Sequence, residues 1–291
     1  MKNILSALFK IIVLVVIFFI VNAIAGILLP LSHDMLAPLS VAEKALFMPL
    51  YLLYIFISMS ALFITLKCLR YKSLRLYLAV FISFIGLFSV LNQVEILWYI
   101  EAFPLFTSLD VVKMFLTDVF AYGITALVGV WLVKGFKKEK EVKSTVFDVG
   151  RFSWKVAVFV VLYPLFYYCC GFIAWSFPAA REFYSGWAAT AESLPILLLF
   201  NVFRGGLWLF LSLPLLMGAR TRKQAFWLLP FILVIATAGG LIMPNAAMPA
   251  MVRLAHGIEL TFSMTIVGIF MVWLFLKEKK AKKTYEISSR D

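Results

Sequence analysis

The costliest residue to place in this chain is Arg204. It lies roughly ten residues into an apolar stretch, Leu194–Met217. At ~1.5 Å of helix per residue that is ~15 Å, close to the middle of a bilayer's hydrocarbon layer. A guanidinium at that depth cannot reach the interface. It needs a carboxylate, carbonyls or a water-filled cavity. Gly205 and Gly206 follow it and let a neighbouring backbone approach. Two chemistries fit: binding of an anionic group, or a buried ion pair that fastens helices. The residue types leave both open.

Possible partners gather toward one end of their stretches. Asn92, Gln93 and Glu95 close one run, and Asn92 and Glu95, three apart, share a helical face. Asp118 falls about two turns into the next run. Pro244-Asn245 ends a later run, with Asn245 placed to cap the helix that follows. That helix carries Arg253, His256 and Glu259 at successive spacings of three. These residues fall at one depth and predict a polar vestibule floored by Arg204. Its ligand-binding residues are Arg204, Asn92, Gln93, Glu95, Asp118, Asn245, Arg253, His256 and Glu259.

Other chemistries have less to work with. His256 and Glu259 are half of a metal site, and only His33, with Asp34, could add to them. Cys68 ends an apolar run, and Cys169-Cys170 lies within another, without metal-type spacing. No metal is expected. A base oriented by Glu259 needs a nucleophile, and Thr261 and Ser263 do not sit in a nucleophile-type turn. No catalytic residues are assigned. The sequence holds no phosphate-binding loop, no dinucleotide fingerprint and no zinc-protease motif, so no cofactor is expected.

The elements that must carry these residues are membrane helices. Apolar residues make up 64% of the 291 and charged residues only 14%, against about a quarter charged in ordinary soluble domains. Mean hydropathy is +0.99. That excludes a disordered chain, a soluble nucleic-acid-binding domain and a disulfide-rich module. Eight runs reach the length of about 20 residues that a spanning helix needs: Ile4–Leu29, Leu46–Leu66, Leu76–Ile100, Val111–Val133, Phe152–Phe177, Leu194–Met217, Ala225–Met243 and Val252–Leu276.

The net charge of +12 has a topological reading. Lys67, Arg70, Lys72 and Arg75 lie between runs two and three. A basic group from Lys134 to Arg151 separates runs four and five. Arg220, Arg222 and Lys223 separate runs six and seven, and a lysine-rich tail follows run eight. The intervening loops are mixed or acidic. The positive-inside rule then puts both termini in the cytoplasm. The start of the chain, with Ala23-Ile24-Ala25 after an apolar run, resembles a cleavable signal. The run continues through Ile27-Leu28-Leu29, and retention of the first helix is expected. Trp98, Tyr99, Trp187 and Trp227 sit near run ends, as interfacial aromatics do.

A duplication is also visible. Phe9-Lys10 aligns with Trp154-Lys155, Gly26 with Gly171, Pro49 with Pro195 and Trp131 with Trp273, at offsets of roughly 145. The expected fold is therefore all-α: a polytopic integral membrane protein of eight transmembrane helices in two parallel-oriented four-helix repeats. Residues 1–133 form the first repeat and 152–276 the second. A cytoplasmic basic linker occupies 134–151 and a cytoplasmic basic tail 277–291.

The expected function is transporter-like or permease-like, with an outward-facing polar pocket for an anionic small molecule or lipid headgroup. Glu95, Asp118 or Glu259 would be proton carriers. The alternatives are a non-catalytic accessory or sensor subunit, and an intramembrane enzyme acting on a lipid-linked substrate. The expected surroundings are a plasma membrane, most simply a bacterial inner membrane. Anionic headgroups would lie against the basic loops, a protein partner is possible, and nucleic acid is not expected.

Overall fold

The computed structural model describes residues 2–34, 36–102, 105–133, 145–147, 152–185 and 194–278. Most of the basic linker and tail, and the positions of Trp187 and Glu192, lie outside these. Eight helices among the described residues are long and apolar enough to cross a membrane. Within lipid, a helix satisfies every backbone polar group inside its own segment, which is why these runs fold as they do.

The first four spans are α1 (Lys2–Leu28), α2 (Val41–Cys68), a compound third span, and α5 (Ser108–Leu132). The third is built of α3 (Ser73–Ile85), a π-helical turn at Gly86–Val90, and α4 (Leu91–Trp98). The second four are α6 (Phe152–Trp175), α8 (Leu194–Gly218), α9 (Arg222–Ala238, extended by a 3₁₀ turn at Gly239–Ile242) and α10 (Ala250–Phe275). A short helix, α7 (Pro178–Ser185), lies between α6 and α8 and packs on α6 and α10. Its eight residues are too few and too polar to register in hydropathy.

Several helices start earlier than their apolar runs because polar caps begin them. Ser40 and Glu43 form a capping box at the start of α2, and Thr107 and Asp110 form another at α5. Thr221 caps α9. Asp110 does more than cap, since it also accepts from the Ser32 N–H and Oγ, both at 2.8 Å. The loop after α1 is thereby tied to the head of α5. α1 itself packs against α2 and α5 and buries Leu14 and Phe18 in the core.

The two sets of four helices pack in the same pattern. α1 lies on α2 and α5 as α6 lies on α8 and α10, and the third span lies on α5 as α9 lies on α10. Between the sets, the third span packs on α8 and α2 packs on α9, which is one contact exchanged for its counterpart.

Two short backbone pairings join corresponding places. Leu69, just after α2, makes an antiparallel bridge with Ala219, just after α8, and Arg70 N–H donates to the Gly218 carbonyl at 2.8 Å. β1 (Thr145–Phe147), which follows α5 in the chain, pairs antiparallel with β2 (Leu276–Glu278), which follows α10. Phe147 stacks on Phe275 with ring centroids 5.9 Å apart. These six strand residues fall in and beside segments whose composition predicts only linker and tail.

Candidate functional site

Arg204 is buried, with 6% of its surface exposed, halfway along α8. In a helix the side chain leans toward its own N-terminus. That direction carries the guanidinium toward the end of α4, where Nη2 donates to Glu95 Oε2 at 2.8 Å. The pair crosses from one set of helices to the other. It is asymmetric in exposure: the Arg204 side chain is 7% exposed and that of Glu95 29%. The carboxylate is the more exposed member and the cation the buried one.

The guanidinium also lies over the Tyr167 ring, 5.1 Å from its centroid. Asn201, one turn before Arg204, donates to Tyr168 Oη at 3.3 Å and to the Leu197 carbonyl at 2.9 Å. Tyr163, one turn before Tyr167, sits beside Trp208. A β-carbon on Gly205 would come within 2.8 Å of Tyr163 Cβ and Cγ, so only glycine admits α6 this close. A β-carbon on Gly206 would meet nothing nearer than Val160 at 4.0 Å. On the far side, Trp98 stacks on Phe200 with centroids 4.3 Å apart.

Around this pair lie buried polar atoms without a hydrogen-bond partner among the described residues: Arg204 Nε, Trp208 Nε1, Tyr163 Oη and Asn201 Oδ1. Buried polar groups are normally satisfied, and each one left open is costly. Three of these four can donate.

The remaining expected residues divide into three further groups. His256 Nδ1 meets Glu259 Oε2 at 2.7 Å, on a face of α10 turned to α6 and α7. The Tyr184 ring of α7 lies edge-on to His256 at 6.3 Å. Burial, with the Glu259 and Glu95 carboxylates near it, pushes the Tyr184 phenol up, so it stays protonated. Burial and Glu95 also push the Tyr99 phenol up, against a smaller opposing effect of Arg204.

Asp118 lies away from Arg204, beside Ser89 and Gln93 and in the field of Tyr51, Tyr54 and Tyr122. Asn92 faces α9. It donates to the Phe88 carbonyl at 3.0 Å and reaches the Ala236 carbonyl at 3.5 Å.

Asn245 does not cap α10. The cap position is Pro249, which offers no side-chain bond, and Asn245 Oδ1 instead accepts from Met248 N–H at 2.9 Å to close the turn before it. Arg253 turns from His256 toward that turn, donating from Nη1 to the Met248 carbonyl at 2.8 Å.

The vestibule expected as one cavity is therefore several polar clusters, of which Arg204–Glu95 and His256–Glu259 share a ring of tyrosines. Tyr163 and Tyr167 lie in the field of Arg204, Glu95 and Glu259 together. These tyrosines, with Asn201, Trp208 and Tyr184, were not singled out by sequence. The available signal was spacing: Asn201 and Arg204 three apart, Tyr163 and Tyr167 four apart.

Among the described residues no three His, Cys, Asp or Glu side chains gather as metal ligands do. His33 and Asp34 are exposed, and Asp34 accepts from Leu36 N–H. No protein-family model matches the chain, and neither does any curated protein or solved structure.

Proposed function

We propose that this multi-pass membrane protein is a transporter-like carrier of an anionic group, and that Arg204 is its binding cation. One observation carries the reading. A buried arginine in mid-span is held by a single carboxylate that is itself partly exposed, while among the described residues its Nε and two neighbouring donors, Trp208 Nε1 and Tyr163 Oη, have no acceptor. An anionic group supplies the acceptors those donors lack. The incoming anion competes with Glu95 for the guanidinium, so release of that carboxylate and anion binding are linked. An ionisable residue buried within a membrane span is a functional-site candidate by default.

The repeated packing pattern and the two pairings of corresponding segments support two parallel-oriented four-helix repeats related by an axis along the membrane normal. The basic loops fall on the face carrying these pairings. We place that face and both termini in the cytoplasm, against anionic headgroups of a plasma membrane.

The test is uptake by proteoliposomes across a panel of small organic and inorganic anions, at several pH values. Arg204→Lys keeps a charge at the site without the guanidinium's fork and is expected to lower uptake at least tenfold. Glu95→Gln removes the competing carboxylate and is expected to keep uptake while tightening anion binding. Uptake unchanged in Arg204→Lys, or absent for every anion in the wild-type protein, overturns the reading.

A further inference from the structure

A second feature lies outside this site, on the opposite face of α10. Between the 3₁₀ extension of α9 and the first half of α10 runs a groove of about 490 Å³, open along one side. Ala238, Leu241 and Ile242 form one wall, and Leu254 and Phe262 the other. Gly257 makes its floor, where a β-carbon would have nothing within 4 Å. The volume is that of a small-molecule site.

Arg253 stands at one end. It is 8% exposed, and only Nη1 is engaged, by the Met248 carbonyl at 2.8 Å and more weakly by the Asn245 carbonyl at 3.5 Å. Among the described residues Nε and Nη2 make no hydrogen bond or ion pair. The carboxylate that acts on it, Glu43, does so at a distance, being held by Ser40 N–H and Oγ in the α2 capping box. Arg253 is in the first turn of a helix whose cap residue, Pro249, has no side-chain bond to offer, although its carbonyl accepts from the Val252 and Arg253 N–H groups at 3.0 Å. The Ala250 and Met251 N–H groups find no backbone acceptor there. A cation and a free helix N-terminus thus point at one place, where an anion is favoured.

The dimensions name the occupant. From Arg253 to Phe262 the groove follows α10 for about 13 Å, at ~1.5 Å per residue. One leaflet's hydrocarbon is about 15 Å deep. The cation sits at the outer end of an apolar trough as long as one leaflet, which is the shape of a phospholipid: phosphate at the helix start, acyl chain along the groove. We propose that the Arg253 groove binds one anionic phospholipid from the leaflet on that side, with the headgroup charge selecting it over a zwitterionic one. This binding stands independently of the Arg204 reading.

The experiment is native mass spectrometry of the full chain released from nanodiscs holding equal phosphatidylglycerol and phosphatidylcholine with identical acyl chains. Thermal unfolding is measured in parallel. The expected result is one retained phosphatidylglycerol, at least tenfold over phosphatidylcholine. Arg253→Gln should abolish the preference. Gly257→Phe, which places a ring in the groove from a position where a β-carbon meets open space, should abolish retention with the melting temperature unchanged. Ile269→Phe, on lipid-facing surface beyond the groove, should change neither. Equal retention of the two lipids overturns the proposal, as does phosphatidylglycerol retention in Gly257→Phe equal to wild type. If Arg253→Gln does not fold, the Gly257→Phe result decides alone.

Discussion

Arg204 and Glu95 form one unit, and each makes the other tolerable in oil. Replacing Glu95 by Leu leaves the guanidinium, the buried member, without its carboxylate inside the bundle. The expected cost is about 3–5 kcal/mol of stability. The double variant Arg204→Met/Glu95→Leu removes both charges and should regain most of that, since apolar groups often replace a buried pair without loss. Thermal unfolding of the four proteins in one detergent reads the cycle. Additive losses would show that the two side chains do not act together. Glu259, 3% exposed and held by His256, should behave alike, with His256→Leu worse than His256→Leu/Glu259→Leu. The sequence displays Arg204 because a charge amid Leu and Phe has no ordinary explanation. Glu95 was visible as one acid among several, and its choice over Asp118 depends on which helices touch. Tyr163 and Tyr167 carry no such signal, because tyrosine is an unremarkable occupant of a span until a neighbour's charge lies against its ring.

Helix contacts rest on small residues at defined points, and two adjacent glycines separate cleanly. Gly205→Ala drives a methyl into Tyr163 at its own β-carbon, where no rotamer change relieves the clash, and should cost about 1–3 kcal/mol. Gly206→Ala meets Val160 only at van der Waals distance and should stay within about 0.5 kcal/mol of wild type. Matching losses in unfolding experiments would mean that α6 and α8 are not packed as described. The spans themselves were legible to within a few residues. Where their starts were misjudged, as at α2 and α5, the polar cap lies outside the apolar run and hydropathy does not count it, although Ser40-Val41-Ala42-Glu43 is a readable capping pattern. The π-helical turn of the third span left no trace in composition. Asn245 misled because an Asn before a helix favours both a cap and a turn, and only backbone geometry separates them.

Considered as one body, the protein has eight membrane-length helices among its described residues, with the third span packed on α8 and α2 on α9, and this packing has two direct tests. In a background with Cys68, Cys169 and Cys170 replaced by Ser, Leu69→Cys and Ala219→Cys should form a disulfide on mild oxidation. Bridge partners place their Cα atoms about 4.5–5.5 Å apart, within reach of the bond. Failure to link in a folded protein would separate the two sets. In the same background, single cysteines at Glu95, Asn245 and His256 should react with a permeant thiol reagent added on the side opposite the basic loops, and protection of all three would close the proposed access. The eight spans were legible as apolar runs between polar loops, whereas which helix meets which was not, since lipid-facing and buried leucines look alike in a sequence. The pairing of β1 with β2 has a consequence for biosynthesis. Thr145 and Glu278 are joined across about 130 residues of chain, so a ribosome working at ~5–20 residues per second leaves the first strand waiting on the order of ten seconds for its mate. During that interval the earlier four helices stand in the bilayer with an unclasped edge, which makes the late-emerging strand the latch that ends assembly.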